Sequence, residues 1–424
     1  MPAHPSLTPF GLLDFPRGVQ PPISSNSVAG FGAEAVRADA LGTRIVVHGR
    51  FPRLAQQFLA HKRRHGSAVE RAFYHAGWTW ERLAARLVER RALAFVGAAD
   101  HTVLRTGEVL GGGGGGGGGG ARAEWDRVGT GDEPRNARLT LRDYLSYDEI
   151  MLGSLLGVSG PSHFINDGRR HNCGHVAAPG DFEPRGVIVG LVGPRFERQD
   201  RMDSMYILSD SRAPLQHPHL REIFLDFFGR SASPEAPFDR SLYKARIRIT
   251  ADILFLEANR RAVAAGKRAY VYVVGLGLGV WAWHGPVNQA LLYVQACLES
   301  LEELADSLSH IDTVEFGWID KVLGFEQRWM SFGASRRVVD VRFSKRNPAE
   351  KLRGDDEGKL LVLSYAWDGN AFPGNEYWSG SLDASGDPAA ACMSTIGELH
   401  NPLINPAFLD RIKVLEKTPT APTA

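Results

Sequence analysis

The stretch from residue 360 to 380, LLVLSYAWDGNAFPGNEYWSG, carries the residue types that could hydrolyse a sugar bond. It begins as an apolar strand and then supplies two acids, Asp368 and Glu376, eight positions apart across a Gly-Pro-Gly bend. A carboxylate beside a sugar carbon stabilises an oxocarbenium-like transition state and activates water. We therefore expect Asp368 and Glu376 to be catalytic. The alternative is that Asp368 begins a turn and Glu376 faces solvent.

The same loop carries side chains suited to holding a sugar. Amides bond to ribose hydroxyls and orient the reacting centre, and aromatic rings stack on the guest and exclude water. The ligand-binding candidates here are Asn370, Phe372 and Asn375.

A second glycine-rich segment, VYVVGLGLGVWAWHGP (271–286), follows a β-branched strand and precedes a helix, for which Pro286 suits the first turn. Alternating glycines let backbone N–H groups approach an anion closely, and a helix N-terminus adds a favourable dipole. The turn is expected to bind a phosphate or diphosphate; a tight turn without a ligand is the alternative. The candidate binding residues are Gly275, Gly277, Leu278, Gly279, Val280 and Trp281.

Two common nucleotide motifs fit this turn poorly. A dinucleotide fingerprint needs an acid about 20 residues on, at the tip of the next strand, and here the tip residue Asp320 lies roughly twice as far away. The segment also lacks the GK[ST] ending of a P-loop. A nicotinamide oxidoreductase is therefore disfavoured. Eight residues of predicted strand hold Asp312 and Asp320 too far apart for one site, and Asp320 is favoured as the third candidate catalytic acid. Asp312 is expected to be a connector, and Glu315 to lie on a solvated strand face.

The order of elements along the chain indicates an α/β fold. Strand patterns alternate with helical ones after residue 137, which is typical of a layered α/β domain. The predicted division is a disordered lead (1–45), a helical region (46–110), a glycine-rich disordered linker (111–136), the α/β domain (137–410) and a disordered tail (411–424). In the α/β domain, TLRDYLSYDEIMLGSLLG is predicted to be one helix, with Ser146 and Glu149 at capping-box spacing. KARIRITADILFLEANRRAVAAG is predicted to be mostly helical and to end at Gly266.

Bulk composition excludes several classes of protein. The 49 basic residues nearly balance the 48 acidic ones, so the chain has no general field that would attract nucleic acid or an anionic membrane. Three widely spaced cysteines indicate a reducing compartment, and no apolar run of 18 residues is present. We expect a cytoplasmic protein. HNCGH (171–175) forms a zinc site only if HPH (217–219) folds close by, so neither a metal nor a cofactor is expected.

Several segments together resemble one known family. VVGLGLGVWAWHGPVNQALL resembles the diphosphate loop of macrodomains, especially those of the poly(ADP-ribose) glycohydrolase branch. GLVGPRFE, VEFGWID, LSYAWDGNAFPGNEYW and DPAAACMSTIGELHNPLINP resemble the MavL-type macrodomain family. The resemblance covers about residues 140 to 410.

The resemblance implies a function and a fold. It implies that the protein binds ADP-ribose and removes it from arginine side chains, including those of ubiquitin; an ADP-ribose reader without catalysis is the alternative. The implied fold is a macrodomain-like three-layer core with a mixed sheet, extended by the N-terminal helices. Ordinary macrodomains place the ribose loop before the diphosphate loop, and here it follows, so we expect a rearranged strand order.

Overall fold

The computed structural model describes residues 21–111, 120–209, 216–229, 236–319 and 328–417. Strands from both ends of this range meet in one nine-stranded sheet, whose spatial order is β12-β1-β5-β6-β11-β7-β8-β10-β9. Its strands are β1 (Arg44–His48), β5 (Leu156–His163), β6 (Arg185–Leu191), β7 (Ala269–Val273), β8 (Ile311–Gly317), β9 (Trp329–Phe332), β10 (Arg337–Ser344), β11 (Leu360–Ala366) and β12 (Ile412–Leu415). A three-stranded sheet contains β2 (Ala94–Val96), β3 (His101–Val103) and β4 (Val109–Leu110).

The large sheet is mixed. Its centre, β6-β11-β7-β8-β10, is parallel, whereas β5 runs antiparallel to β6 and β9 antiparallel to β10. At the other edge β1 pairs antiparallel with β5 and parallel with β12. An α/β protein with a mixed sheet agrees with the prediction, and buried parallel strands explain the apolar runs of β6, β7 and β11.

The helices within the described residues are α1 (Ala33–Gly42), α2 (Phe51–His65), α3 (Ala68–Phe73), α4 (Trp80–Glu89), α5 (Ala121–Arg127), α6 (Tyr147–Gly153), α7 (Ser204–Ile207), α8 (Pro218–Phe228), α9 (Arg240–Ala265), α10 (Gln289–Leu304), α11 (Asp387–Met393) and α12 (Ile396–Leu399). None of them combines the length and apolar character that crossing a bilayer demands.

Helix α9 is the central helix of the core. Asp239 caps its start by accepting from the Leu242 amide at 2.9 Å, and Gly266 ends it with a left-handed φ of 61°. The helix is buried on most of its circumference and packs across seven strands of the sheet, which explains why its apolar residues are not confined to one stripe. The predicted helix and its glycine stop are confirmed.

The ends of the described chain are folded, unlike the disordered lead and tail expected from composition. Residues 33–42 form α1, whose buried Asp39 accepts from Arg185 on β6 at 2.5 Å. Strand β1 completes the sheet between β12 and β5, and residues 412–415, assigned to the tail, are β12 itself. The polyglycine segment 112–119 lies outside the described residues, and residues 121–127 beside it are the helix α5.

One predicted helix is a helix followed by a strand. The capping box of Ser146 and Glu149 is confirmed, but α6 ends at Gly153 and β5 starts three residues later. Gly157 in β5 lies so close to β6 that an added Cβ would be 2.7 Å from the Gly190 carbonyl oxygen. The expected single helix is therefore wrong, because strand pairing outweighs the apolar pattern of residues 152–158.

Candidate active site

Three parallel strands bring the two candidate loops to one edge of the sheet. Strand β11 lies between β6 and β7, with Ala366 opposite Leu191 and Leu363 opposite Tyr272. Neighbouring strands are about 4.8 Å apart, so the loops that follow these three strands begin within roughly 10 Å of one another. The acid loop, which follows Ala366 at the end of β11, and the glycine turn, which follows Val273 at the end of β7, therefore share the carboxyl edge of the sheet.

Arg195, in the loop after β6, joins these loops. Its guanidinium lies 3.8 Å from the Asp368 carboxylate, pairs with Glu197 at 2.5 Å, and stands 5.4 Å from the centre of the Trp281 ring. The side chain is almost completely buried, and Asp203 fixes its backbone by accepting from the Arg195 amide at 2.9 Å. One residue thus contacts the acid loop and the glycine turn at once.

The loops after β6 and β7 also pack backbone against backbone. A Cβ on Gly193 would be 2.4 Å from the Gly277 nitrogen, and a Cβ on Gly277 would be 2.5 Å from the Pro194 carbonyl oxygen. Gly277 also has a left-handed φ of 74°. Glycine is required at both positions by close approach, and at Gly277 by conformation as well.

The glycine turn offers free backbone donors. Within the part of the chain that the structure describes, the N–H groups of Gly277, Gly279 and Val280 form no hydrogen bond, and Val280 is largely exposed. Leu278 is half-buried, and its amide donates to Gly275 at 3.3 Å. Gly277 is buried against the loop after β6, whereas Gly279 and Val280 are exposed, and exposed N–H groups in a tight turn form a concavity suited to an anion.

The helix after this turn starts later than predicted. Helix α10 begins at Gln289, with Asn288 as its cap, so Pro286 lies outside it. The intervening chain is held by Gln289, whose side chain donates to the Trp283 carbonyl at 2.6 Å. The expected support from a helix N-terminus directly behind the glycines is wrong, and the free N–H groups of the turn itself remain as the anion-binding feature.

Asp368 is a buried carboxyl group just after β11. Asp368 is 3% exposed, and burial raises its pKa to about 6. The guanidinium of Arg195 and the backbone N–H of Asn370, which donates to the Asp368 carboxylate at 2.9 Å, oppose that rise. The nearby charges of Glu197 and Glu376 add to it. A carboxyl with a pKa near 6 is ionised at neutral pH and still basic enough to accept a proton.

Two further acids lie beside Asp368. Burial, and then the charge of Glu197, raises the pKa of the half-buried Glu376. Burial also holds the pKa of Asp387 well above its usual value, and the charges of Glu376 and Asp368 raise it further. Asp387 accepts from the Gly374 amide at 2.7 Å through Oδ1, while its buried Oδ2 has no partner among the described residues. Acids whose environments separate their pKa values are typical of acid–base sites.

Sequence reasoning missed Asp387, although its segment was quoted for the family resemblance. In the sequence, Asp387 is an acid followed by Pro388, a pattern typical of a helix start. In the structure α11 begins at this residue, directly after Gly386. Such a residue is usually a helix-terminus acid facing solvent. Only the packing of α11 against β11 places it beside the acid loop.

The side-chain amide of Asn370, in the acid loop, has no hydrogen-bond partner among the described residues. The side chain is fully buried, and neither its oxygen nor its nitrogen has a partner among the described residues. Buried polar groups are nearly always paired, so an unpaired amide beside a carboxyl indicates a site for a ligand or water.

Phe372 and Asn375 hold the loop in place. Phe372 is fully buried against Leu93 and Val103, and the Asn375 side chain accepts from the Phe95 amide at 2.8 Å. Both were expected to contact a ligand; the structure instead occupies both side chains in joining the acid loop to the segment around β2.

The N-terminal region supports the acid loop through Arg91. This fully buried side chain follows α4, donates to the Asp368 carbonyl at 3.1 Å and lies 3.8 Å from the centre of the Trp367 ring. It also donates to the carbonyls of Leu87 and Gly153. Sequence analysis did not single out Arg91, because an arginine at the end of an amphipathic helix is usually on the surface.

Two of the remaining acids, Asp312 and Glu315, lie in β8. Asp320, the third candidate, lies outside the described residues. Asp312, expected to be a connector, lies inside β8 and pairs with Arg268 at 2.7 Å. Glu315 was expected on a solvated face, and this is wrong: it is 2% exposed and accepts from the Tyr270 hydroxyl at 2.7 Å.

A glycine turn with free N–H groups, opposed to buried acids at the carboxyl edge of parallel strands, is an arrangement typical of α/β proteins that bind phosphorylated ligands at that edge. Comparison with known proteins narrows the class. A model of the family described as "ADP-ribosylhydrolase MavL-like" matches residues 24–213 and 225–415. The chain belongs to this family, and the resemblance drawn from its motifs is confirmed.

Two curated relatives of the fruit fly Drosophila melanogaster are also similar. The ADP-ribosylarginine hydrolase CG2909 is 34% identical over 401 residues, which cover 86% of this chain and 76% of the relative. The ADP-ribosylarginine hydrolase CG3568 is 34% identical over 442 residues, covering 92% of this chain and 83% of the relative. The chain is thus an enzyme, a hydrolase that reverses ADP-ribosylation.

Proposed function

We propose that this enzyme hydrolyses the N-glycosidic bond between ADP-ribose and an arginine side chain of a modified protein. The names of both relatives support arginine as the linkage. The observation that carries the proposal is Arg195, which contacts both Asp368 and Trp281 and so sets the acid loop opposite the glycine turn.

Each of the two loops binds a different part of the substrate. The free N–H groups of Gly279 and Val280 bind the diphosphate, the buried Gly277 shapes the turn, and the distal ribose extends to Asp368 and Asn370. The unpaired amide of Asn370 bonds to ribose hydroxyls, so binding energy orients the anomeric carbon. Asp320, which follows β8 in the sequence, is assigned to the nucleotide or the ribose.

The carboxyl groups supply the chemistry. Ionised Asp368 stabilises the positive charge that develops on the sugar and accepts a proton from the attacking water. The C1″–N bond breaks as the water oxygen bonds to C1″, and its electron pair leaves with the guanidine. The guanidine then takes up the proton that Asp368 accepted, which restores the ionised carboxylate. Glu376 flanks the reacting carbon, and Asp387, whose pKa burial holds above its usual value, offers its unpartnered Oδ2 for a hydrogen bond.

The charge balance of the site favours arginine. Three acids, namely Asp368, Glu376 and Glu197, affect one another's ionisation, whereas Arg195 is the cation paired directly with them and Arg91 is a second cation near Asp368. The net negative charge of the site attracts the guanidinium of an ADP-ribosylated arginine. A serine linkage is neutral and gains no such attraction. Ubiquitin modified on arginine is the carrier protein that we propose to test first.

The deciding experiment offers the enzyme arginine-ADP-ribosylated ubiquitin and a serine-ADP-ribosylated peptide, and measures free ADP-ribose. Release from the first substrate and little from the second is expected. Binding without release from either would instead show a non-catalytic reader of ADP-ribose. Release from the serine peptide at an equal rate would refute the arginine assignment.

The fold and location expected from sequence remain part of this proposal. The mixed sheet, with the ribose loop after the diphosphate turn in chain order, supports a macrodomain-like core with rearranged strands. The balanced charge supports a cytoplasmic protein that binds neither nucleic acid nor membranes.

A further inference from the structure

Four histidines from two distant segments meet on one side of the molecule. His61 and His65 are four residues apart on α2 and so share a face, while His217 and His219 stand at the start of α8. HPH thus lies beside α2. His61 is buried, whereas the other three side chains are exposed.

The spacing of these rings is nearly uniform. The ring centres of His61, His65 and His219 form a triangle with sides of 5.3, 5.2 and 5.0 Å. The His217 ring lies 5.0 Å from that of His61 and 5.2 Å from that of His65. The Nδ1 atoms of His61 and His219 are 2.9 Å apart.

This spacing equals that of imidazoles bound to one tetrahedral ion. With a zinc–nitrogen distance of about 2.0–2.1 Å, each ring centre lies ~3.2 Å from the metal, so two rings at the tetrahedral angle are ~5.2 Å apart. Aromatic packing alone has no reason to give one separation for five different ring pairs, since such pairs range over about 4.5–7 Å.

We propose that His61, His65 and His219 form a binding site for a divalent transition metal such as Zn²⁺, which links α2 to α8. The fourth position is open to water or to His217. In the structure the Nδ1 atom of His217 accepts from the His219 amide at 3.1 Å, so this ring joins the metal only by giving up that bond.

A polar network beside the rings joins α2 to α8. Lys62, next to His61, is paired with two carboxylates, Glu70 and Asp148, each at 2.5 Å. Asp148 also accepts from Gln216, the residue before HPH, at 2.8 Å. This hydrogen bond holds the start of α8 against the four histidines, which have charges of both signs around them, including Arg64 beside His65.

Loading requires small rotations. As the side chains stand, no group of three or more histidine, cysteine, aspartate or glutamate residues in the described ranges is arranged to hold an ion. The exposed rings of His65 and His219 are free to turn about χ2, a torsion with broad preferences, and their centres are already at the required separation. The buried His61 fixes the position around which they turn.

The test is titration of the complete, EDTA-treated protein with Zn²⁺, followed by calorimetry and by thermal unfolding. We expect one ion per chain and a melting transition shifted to higher temperature, with no response to Mg²⁺, which prefers oxygen ligands. His65→Ala and His219→Ala are expected to weaken Zn²⁺ binding by at least about tenfold. Both replace exposed side chains, so both variants should fold.

The matched control is His175→Ala, which removes an exposed histidine of HNCGH and should leave the Zn²⁺ affinity unchanged. Loss of binding in that variant, unchanged affinity in His65→Ala, or no heat with the parent protein would each overturn the proposal. None of these readouts involves ADP-ribose, so they are independent of the proposed hydrolysis.

Discussion

At the scale of single residues, Asp368 combines burial with the proposed catalytic role. Replacing it by Asn keeps its shape but removes the carboxylate that stabilises the sugar cation. We expect Asp368→Asn to lower kcat by about 10²–10³-fold, as loss of one electrostatic stabiliser does. Release of ADP-ribose from the arginine-linked substrate measures the loss, and a variant with near-normal kcat would shift the catalytic role to Glu376 or Asp387.

The same substitution should make the protein more stable. The pKa of Asp368 is raised from about 4 to about 6 on folding, so its buried charge lowers stability as pH rises through that window. Asp368→Asn should therefore raise the free energy of unfolding by about 2–3 kcal/mol at pH 7.5, and by little at pH 4. Urea unfolding at both pH values measures this, and an equal effect at the two values would contradict it.

The raised pKa also predicts how activity depends on pH. Hydrolysis needs ionised Asp368, so kcat/KM should rise with pH through about 6 and then level off. Glu376→Gln removes one of the charges that raise this pKa, and the midpoint should move to lower pH. A pH profile without a limb between 5 and 7 would show that another group limits the reaction.

At the scale of elements, the close contact of two turns makes a matched pair of glycine substitutions informative. Gly277→Ala places a Cβ 2.5 Å from the Pro194 carbonyl at a positive φ, so it should cost about 1–3 kcal/mol and weaken ADP-ribose binding. Gly279→Ala meets no atom within 4 Å and should change stability by less than about 0.5 kcal/mol. Equal losses of stability in the two variants would contradict the role of the backbone contact.

Arg91 tests whether the N-terminal region supports the acid loop. Arg91→Lys keeps a charge but cannot reach the carbonyls of Leu87, Gly153 and Asp368 together, and it should cost about 2–4 kcal/mol and reduce kcat. Arg90→Lys, the neighbouring and more exposed position, is the control and should be nearly neutral. An active, stable Arg91→Lys protein would show that the loop holds its shape without this support.

Helices and strands with a clear pattern in their own residues were predictable from sequence. Those that form only by pairing with distant strands were not. Helix α9 has a capping Asp239 and a terminal Gly266, and β7 and β11 are continuous apolar runs, so each was recognised. Strands β1, β5 and β12 depend on mixed pairings at the sheet edge, which leave no distinct local pattern. Asp387 and Arg91 reach the acid loop only through tertiary packing, which no spacing along the chain encodes.

At the scale of the whole molecule, the sheet unites segments that composition had separated. Strand β1, from the first fifth of the chain, lies between β12 and β5, and Arg44 on β1 forms a bidentate pair with the buried Glu257 of α9, with distances of 2.7 and 2.8 Å. Together with Arg91, these contacts make the N-terminal region part of the core that carries the acid loop.

A fragment of residues 137–410, the α/β domain expected from sequence, therefore lacks β1 and β12 and leaves Glu257 without one of its two arginine partners. An unpaired strand edge on β5 and a buried carboxylate missing half of its compensation both favour aggregation or a loosely packed state. We expect the fragment to give a broad unfolding transition and no heat with ADP-ribose, whereas the complete chain unfolds cooperatively and binds. A fragment that binds ADP-ribose as tightly as the complete chain would show that the acid loop keeps its geometry without β1, β12 or Arg91.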